Sequence, residues 1–160
     1  MSLQSSENLK TPTKQARPIL DQIVGLLIFL ILGLLSWGSI YVLDSSMFSS
    51  LIFAKSTHLL YFFLSTALWQ IWRQNSIRTL KLETVLYFLT NLFSLTWHTT
   101  FLMMRQSLIS LVFIFLLLAV SLITCFVYWK KDRFAGFLVL PFILWVLYAI
   151  TLNLFITLNP

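Results

Sequence analysis

Five long apolar stretches separated by short polar segments constrain this chain more than any other feature. A bilayer core about 30 Å thick requires about 20 mostly apolar residues as helix, because backbone groups in lipid must be hydrogen-bonded within their own segment. The predicted membrane spans are 19–43, 47–72, 84–104, 107–129 and 134–158. The sequence therefore predicts an all-α, multi-pass integral membrane protein, with a bundle of five transmembrane helices filling residues 19–160.

The composition excludes the soluble function classes. Hydrophobic residues make up 59% of the chain and charged residues only 10%, whereas a soluble domain carries about 25% charged residues. We therefore expect a lipid bilayer as partner and no nucleic acid, although the formal net charge is +6. The single cysteine, Cys125, excludes an internal disulfide framework.

The distribution of cations predicts an orientation. Cytoplasmic loops of membrane proteins are enriched in Lys and Arg, and a cytoplasmic N-terminus places nine of the eleven cations on that side. These nine are Lys10, Lys14, Arg17, Arg73, Arg78, Lys81, Lys130, Lys131 and Arg133. Residues 1–18 then form a disordered basic tail, and the C-terminus lies on the opposite side. A cleaved signal sequence is the alternative for the first span, but the apolar run is longer than the usual signal core.

Polar and aromatic side chains recur at helical spacing on two of the predicted spans. They are Lys55, His58, Tyr61, Ser65 and Trp69 on the second span, and Asn91, Ser94, His98, Phe101 and Arg105 on the third. We expect these faces to point into the bundle, where polar groups also join helices. The two histidines are either hydrogen-bonded interior residues or ligands of a haem iron or other metal, and their spacing predicts no metal site.

Catalytic signatures are missing from the sequence. No G-x-S-x-G turn, glycine-rich phosphate loop or pair of carboxylates within a span is present. We therefore predict no catalytic residues and no required cofactor. The tryptophans at 37, 97 and 145 lie inside spans, where a flat apolar ligand could stack on them, whereas Trp72 and Trp129 lie at span ends as interfacial anchors.

The fifth span carries a recognisable motif. Residues 141–153 read PFILWVLYAITLN, and this segment resembles the last helix of the TspO/MBR family, which includes the tryptophan-rich sensory proteins and the mitochondrial translocator protein, or peripheral-type benzodiazepine receptor. The family pattern there is P-[YF]-x-x-W-x-x-[FY]-A-x-x-L-N, and every fixed position is met. Further matching positions are Trp37, Phe53, Leu60, Tyr61, Trp72, Trp97 and Phe101. In the third span, where the family reads N-x-x-W-x-x-x-F-F, Ser94 stands in place of Asn and Leu102 in place of the second Phe.

Two regions depart from the family pattern. The first loop of the family reads W-Y-x-x-L-x-x-P-x-W-x-P-P, whereas residues 37–49 here lack all of its prolines and its second tryptophan. The chain also ends without the tyrosine and basic residue of the family's sterol-recognition pattern. The resemblance therefore does not imply sterol binding through that motif.

The resemblance implies a five-helix membrane receptor or transporter-like protein that binds tetrapyrroles such as protoporphyrin or haem and forms homodimers. The residues expected to line the pocket are Trp37, Phe53, Thr57, His58, Tyr61, Ser94, Trp97, Phe101, Trp145, Tyr148, Ala149 and Leu152. Of these, His58 and Tyr61 are added because they share a helical face. Two alternatives stay open: a porphyrin-degrading membrane enzyme, and a membrane assembly partner that binds no ligand and has a collapsed interior.

Overall fold

Five α-helices make up the computed structural model of this protein, which describes residues 18–43, 52–74, 81–104 and 107–158. Their bounds are α1 Ile19–Leu43, α2 Ile52–Gln74, α3 Lys81–His98, α4 Ser107–Lys131 and α5 Arg133–Leu158. Within these ranges there is no β-strand, so the prediction of an all-helical chain with five helices is confirmed. The predicted N-terminal tail lies outside the described residues except for Pro18.

The five helices differ in how apolar they are. Among the described residues, Leu108–Lys131 and Arg133–Leu158 are long and apolar enough to cross a membrane, and Ile19–Leu35 is the shorter apolar part of α1 to which this comparison extends. Helix α2 carries polar side chains such as Gln70, and α3 carries Thr90 and Asn91. Within the described residues, two of the five predicted spans thus have both the length and the apolar character needed to cross a membrane.

The packing order of the helices differs from their order along the chain. Helix α2 packs against α1 and α5, α5 packs against α4, and α4 packs against α3. Two buried hydrogen bonds join α3 to α2. They are Tyr61 Oη to Ser94 Oγ at 2.6 Å and Ser65 Oγ to Tyr87 Oη at 2.9 Å. As a result α2, α3 and α5 enclose a common interior.

Two glycines allow α1 to approach α2 closely. A Cβ atom added at Gly25 would overlap the indole ring of Trp72, and one added at Gly33 would lie 2.8 Å from Ser65 Oγ. Small residues are the usual means of bringing apolar helices together. The spacing of these glycines therefore fixes α1 against the face of α2 that carries Ser65 and Trp72.

The turn between α4 and α5 is stabilised by Asp132. Its Oδ1 accepts hydrogen bonds from the backbone N–H groups of Phe134 at 2.8 Å and Ala135 at 3.2 Å, which is helix N-capping. Its Oδ2 accepts a bond of 2.5 Å from Gln74 Nε2 at the end of α2. Partial burial disfavours the ionised carboxyl, but these hydrogen bonds outweigh it and lower the pKa of Asp132 below its ordinary 3.8.

Replacing Gly25 by Leu should lower the free energy of unfolding by about 1–3 kcal/mol, because the new side chain overlaps Trp72 and forces α1 away from α2. Thermal unfolding in detergent, followed by circular dichroism, measures the change. The matched control is Val24→Leu, since Val24 is 48% exposed and its added methylene meets no neighbouring helix. Equal stability of the two variants would contradict the close approach.

Asp132→Ala should lower the free energy of unfolding by about 1 kcal/mol through loss of the cap, and Asp132→Asn should lower it less. Because the folded-state pKa of Asp132 is lowered, its carboxylate stabilises the fold fully above pH 3.8 and less as the pH falls through the folded pKa. Unfolding of wild type and Asp132→Ala on both sides of this pH checks the sign. A difference that widens in acid would refute the role of the carboxylate.

Candidate functional site

Aromatic rings from three helices meet in the interior enclosed by α2, α3 and α5. We call Tyr61, Trp97, Phe101, Phe142 and Trp145 the aromatic cluster; all five are buried in one apolar core. Trp97 and Phe101 are four residues apart, so they lie on one face of α3 and the helical turn that continues it. Phe142 and Trp145, three residues apart, lie together on α5.

The rings of the aromatic cluster contact one another directly. Trp97 stacks on Phe101 with ring centroids 5.4 Å apart and meets Trp145 edge-to-face at 5.6 Å. Tyr61 meets Phe142 edge-to-face at 6.1 Å. Offset-stacked and edge-to-face pairs contribute about 0.5–1.5 kcal/mol each beyond the burial of their area. Helices α2, α3 and α5 are thus joined through a continuous set of rings.

Ser94 connects the polar groups of this interior. Its hydroxyl bonds the phenol of Tyr61 on α2, and its backbone carbonyl accepts a hydrogen bond of 2.8 Å from Nδ1 of His98. The His98 imidazole in turn stacks on Trp145, with centroids 5.8 Å apart and the ring planes 12° from parallel. The interior therefore combines large apolar rings with a phenol, a hydroxyl and an imidazole.

Helix α3 changes its winding at this point. A π-helical segment covers Thr99–Met103, where the N–H of Met104 donates to the carbonyl of Thr99 at 3.1 Å. Single π-helical turns within helices are frequent at functional sites. Here the turn follows His98 directly and includes Phe101, so the change in backbone lies within the aromatic cluster itself.

The structure brings most of the predicted pocket residues together. Tyr61, Ser94, Trp97, Phe101, Trp145 and Ala149 are buried in this interior, and Leu152 packs against it while half-buried. The side chains of Trp37, Phe53, Thr57 and His58 lie outside the described residues.

Tyr148 is not part of this group, because its side chain is 58% exposed. The reason is rotational. Successive α-helical residues turn by about 100°, so Tyr148 lies about 60° beyond Trp145, away from Phe142 and Ala149 at the centre of the buried face. The family motif therefore places Trp145 at the edge of that face and Tyr148 outside it.

Two members of the site were not among the predicted pocket residues. Phe142 occupies the [YF] position of the motif, three residues before Trp145, and this helical spacing was the available signal. His98 shares the polar face of Ser94, but the sequence left its role open between a packed interior residue and a ligand. Its stacking on Trp145 depends on the packing of α5 against α3.

The described residues contain no group of three His, Cys, Asp or Glu side chains that could hold a metal ion. The half-buried Cys125 lies on α4, where its Sγ is 3.6 Å from the carbonyl of Gly136, away from the aromatic cluster. A binding site for a bare metal ion therefore has no donor set in this part of the chain.

A double-mutant cycle of Tyr61→Phe and Ser94→Ala should give a coupling energy of about 0.6–1 kcal/mol, because their 2.6 Å bond is buried between helices. Unfolding free energies of the two single variants and the double variant measure it. Tyr87→Phe combined with Ser94→Ala is the control, since Tyr87 bonds Ser65 instead and its effect should add. Additivity of the Tyr61 and Ser94 substitutions would show that the bond contributes nothing.

Comparison with known protein families gives a match that covers most of the chain. Residues 44–158 match the TspO/MBR family, so the match covers most of the chain and includes α2 to α5. No curated protein matches the chain. The fifth-helix motif and the aromatic cluster lie inside the matched range. This chain therefore belongs to the TspO/MBR family, which is a membrane family.

Proposed function

We propose that this protein is a multi-pass integral membrane receptor or transporter-like protein that binds tetrapyrroles, such as protoporphyrin or haem, at the aromatic cluster. Family membership supports the membrane receptor or transporter-like role. The aromatic cluster is the observation that carries the ligand class. Pairing of two copies in the membrane is part of the same proposal.

The chemistry of the aromatic cluster suits a flat, apolar ligand. Small-molecule sites are mostly apolar and carry a few polar groups that orient the ligand. Trp97 and Trp145 offer indole faces and edges for stacking, while Tyr61, Ser94 and His98 supply the polar groups. A tetrapyrrole macrocycle is planar and aromatic over its whole area, so it matches rings supplied from two sides.

Ligand entry requires the rings to separate. Trp97 is fully buried, and Trp145 contacts Trp97, His98 and Phe142 at once. A ligand that stacks on Trp145 must replace these contacts with its own. Binding is then coupled to a rearrangement of α5 against α3, as expected when a ligand selects an open conformation.

The proposed topology has five spans and a cytoplasmic N-terminus. The ion pair of Lys131 with the buried Glu83, at 2.6 Å, joins the end of α4 to the start of α3. The bond from Gln74 to Asp132 joins the end of α2 to the start of α5. Four helix ends and the cations Arg73, Lys81, Lys130, Lys131 and Arg133 therefore belong to one end of the bundle. This clustering supports the cytoplasmic assignment of that end.

The ring contacts also favour a second candidate, a membrane assembly partner without a ligand. Such a protein keeps a collapsed interior, and mutual packing of Trp97, Phe101 and Trp145 is that arrangement. The two candidates differ in their response to an added tetrapyrrole, because an assembly partner has no affinity for it.

Titration of the purified protein with metal-free protoporphyrin should quench tryptophan emission at micromolar concentration. Trp145→Ala should weaken binding by about tenfold, since the variant loses a stacking surface in the aromatic cluster. Ligand emission measures the affinity independently of the tryptophans.

The matched control is Phe137→Ala, which removes a ring from the same helix at a position that is 59% exposed. Its affinity should equal that of wild type. No binding to wild type would leave the assembly partner as the better candidate, and equal affinities of Trp145→Ala and wild type would exclude this pocket. Loss of protoporphyrin with formation of a new product under light would favour the degrading enzyme.

A further inference from the structure

The tight turn between α4 and α5 separates its charged side chains into an inner and an outer set. Lys131 pairs with the buried Glu83, and Asp132 uses both of its carboxylate oxygens in hydrogen bonds within the protein. Lys130 and Arg133 are exposed instead, and within the described ranges neither is paired with a carboxylate. The turn therefore neutralises its acidic groups on the inside and presents two cations on the outside.

The two exposed cations lie at different depths along the helices. The ammonium of Lys130 lies 4.3 Å from the ring centroid of Phe126, which is one turn earlier and about 6 Å nearer the apolar middle of α4. Helical side chains lean towards the N-terminus of their own helix. For Lys130, near the end of α4, this direction is inward, whereas for Arg133, the first residue of α5, it is outward.

An aromatic surface lies directly below these cations. Phe126 and Trp129 are exposed and lie on the same face of α4 as Lys130, at a spacing of three to four residues. The indole of Trp129 also crosses to α5, because a Cβ atom added at Gly136 would lie 2.8 Å from Trp129 Cε3. The two helices that share this surface are the ones long and apolar enough to cross a membrane.

The pairing of cations with exposed rings selects the chemistry of a partner. A nucleic acid or an acidic peptide would neutralise Lys130 and Arg133 but leave the rings uncovered, and a neutral lipid would do the reverse. Basic residues next to a membrane span attract anionic lipids, and aromatic rings are enriched at the same depth. An anionic phospholipid supplies both a negatively charged headgroup and an acyl chain.

We propose that the outer side of the α4–α5 turn binds one anionic phospholipid, with its phosphate between Lys130 and Arg133 and an acyl chain against Phe126 and Trp129. The Cα atoms of the two cations are at most about 11 Å apart, since they are three residues apart in the chain. Both long side chains can therefore reach the same phosphate. This lipid site is separate from the aromatic cluster and requires only that α4 and α5 cross the bilayer.

The test measures lipid binding to the purified full chain in an uncharged detergent by native mass spectrometry. Phosphatidylglycerol and phosphatidylcholine are added in equal amounts, since both contain a phosphate but only the first has a net negative charge. Wild type should bind phosphatidylglycerol in preference. Lys130→Gln combined with Arg133→Gln should weaken its binding by about 20-fold or more, about fivefold for each cation, and leave phosphatidylcholine unchanged.

The matched control removes the same charge from the same end of the bundle. Arg73→Gln combined with Lys81→Gln should leave the affinity for phosphatidylglycerol within about twofold of wild type, because neither cation belongs to this surface. Equal losses in the two double variants would show a diffuse surface potential and overturn the site. Equal binding of the two lipids by wild type, or displacement of phosphatidylglycerol by equimolar inorganic phosphate, would overturn it as well.

A second variant tests the aromatic part without changing any charge. Phe126→Leu removes the ring beneath the Lys130 ammonium and should weaken phosphatidylglycerol binding by about two- to fivefold. An affinity equal to that of wild type would show that the ring has no part in the site. If the double variant at 130 and 133 does not fold, the two single variants replace it, each with an expected loss of about fivefold.

Discussion

Polar groups buried between apolar helices must find partners inside the bundle, and the rest of this structure depends on that constraint. Each pair of helices that follow one another along the chain is joined by a side-chain hydrogen bond. The bonds are Trp69 Nε1 to the Gln22 carbonyl, Tyr61 to Ser94, Tyr128 Oη to the Glu83 carbonyl, and Asn153 Nδ2 to Ser110 Oγ. Apolar packing has little directionality, so these bonds set the register of the helices. The need for these hydrogen bonds explains why this chain, with few polar residues, places its polar side chains between helices.

Ser94 shows how the register builds the site. The family pattern has Asn at this position, whereas the serine here directs its hydroxyl to Tyr61 and its carbonyl to His98. One residue therefore fixes a phenol on α2 and an imidazole on its own helix. Because His98 then stacks on Trp145, the same residue also influences how α5 lies against α3. The polar and aromatic parts of the interior are therefore connected through Ser94 and His98.

The helices themselves could be predicted from the sequence, because apolar length and polar breaks are local properties. Helical spacing also placed Tyr61 and Ser94 on interior faces. Their partnership could not be predicted, since it depends on the register of α2 against α3. The same holds for Glu83, expected at the edge of a span, whose side chain is 2% exposed and pairs with Lys131. Tyr148 was predicted to line the pocket because of its motif position. That position alone does not give the rotation of α5, which turns Tyr148 away from the interior.

The closed packing of the rings is compatible with ligand binding on energetic grounds. Moving Trp145 gives up its contacts with Trp97, His98 and Phe142, at about 0.5–1.5 kcal/mol each, or about 1.5–4.5 kcal/mol together. Micromolar affinity corresponds to about 8 kcal/mol. Stacking of a macrocycle on the same indoles restores much of what opening removes. The π-helical turn at Thr99–Met103 adds a backbone able to adjust next to these rings. The contacts that hold the interior closed are therefore weak enough for a flat aromatic ligand to replace.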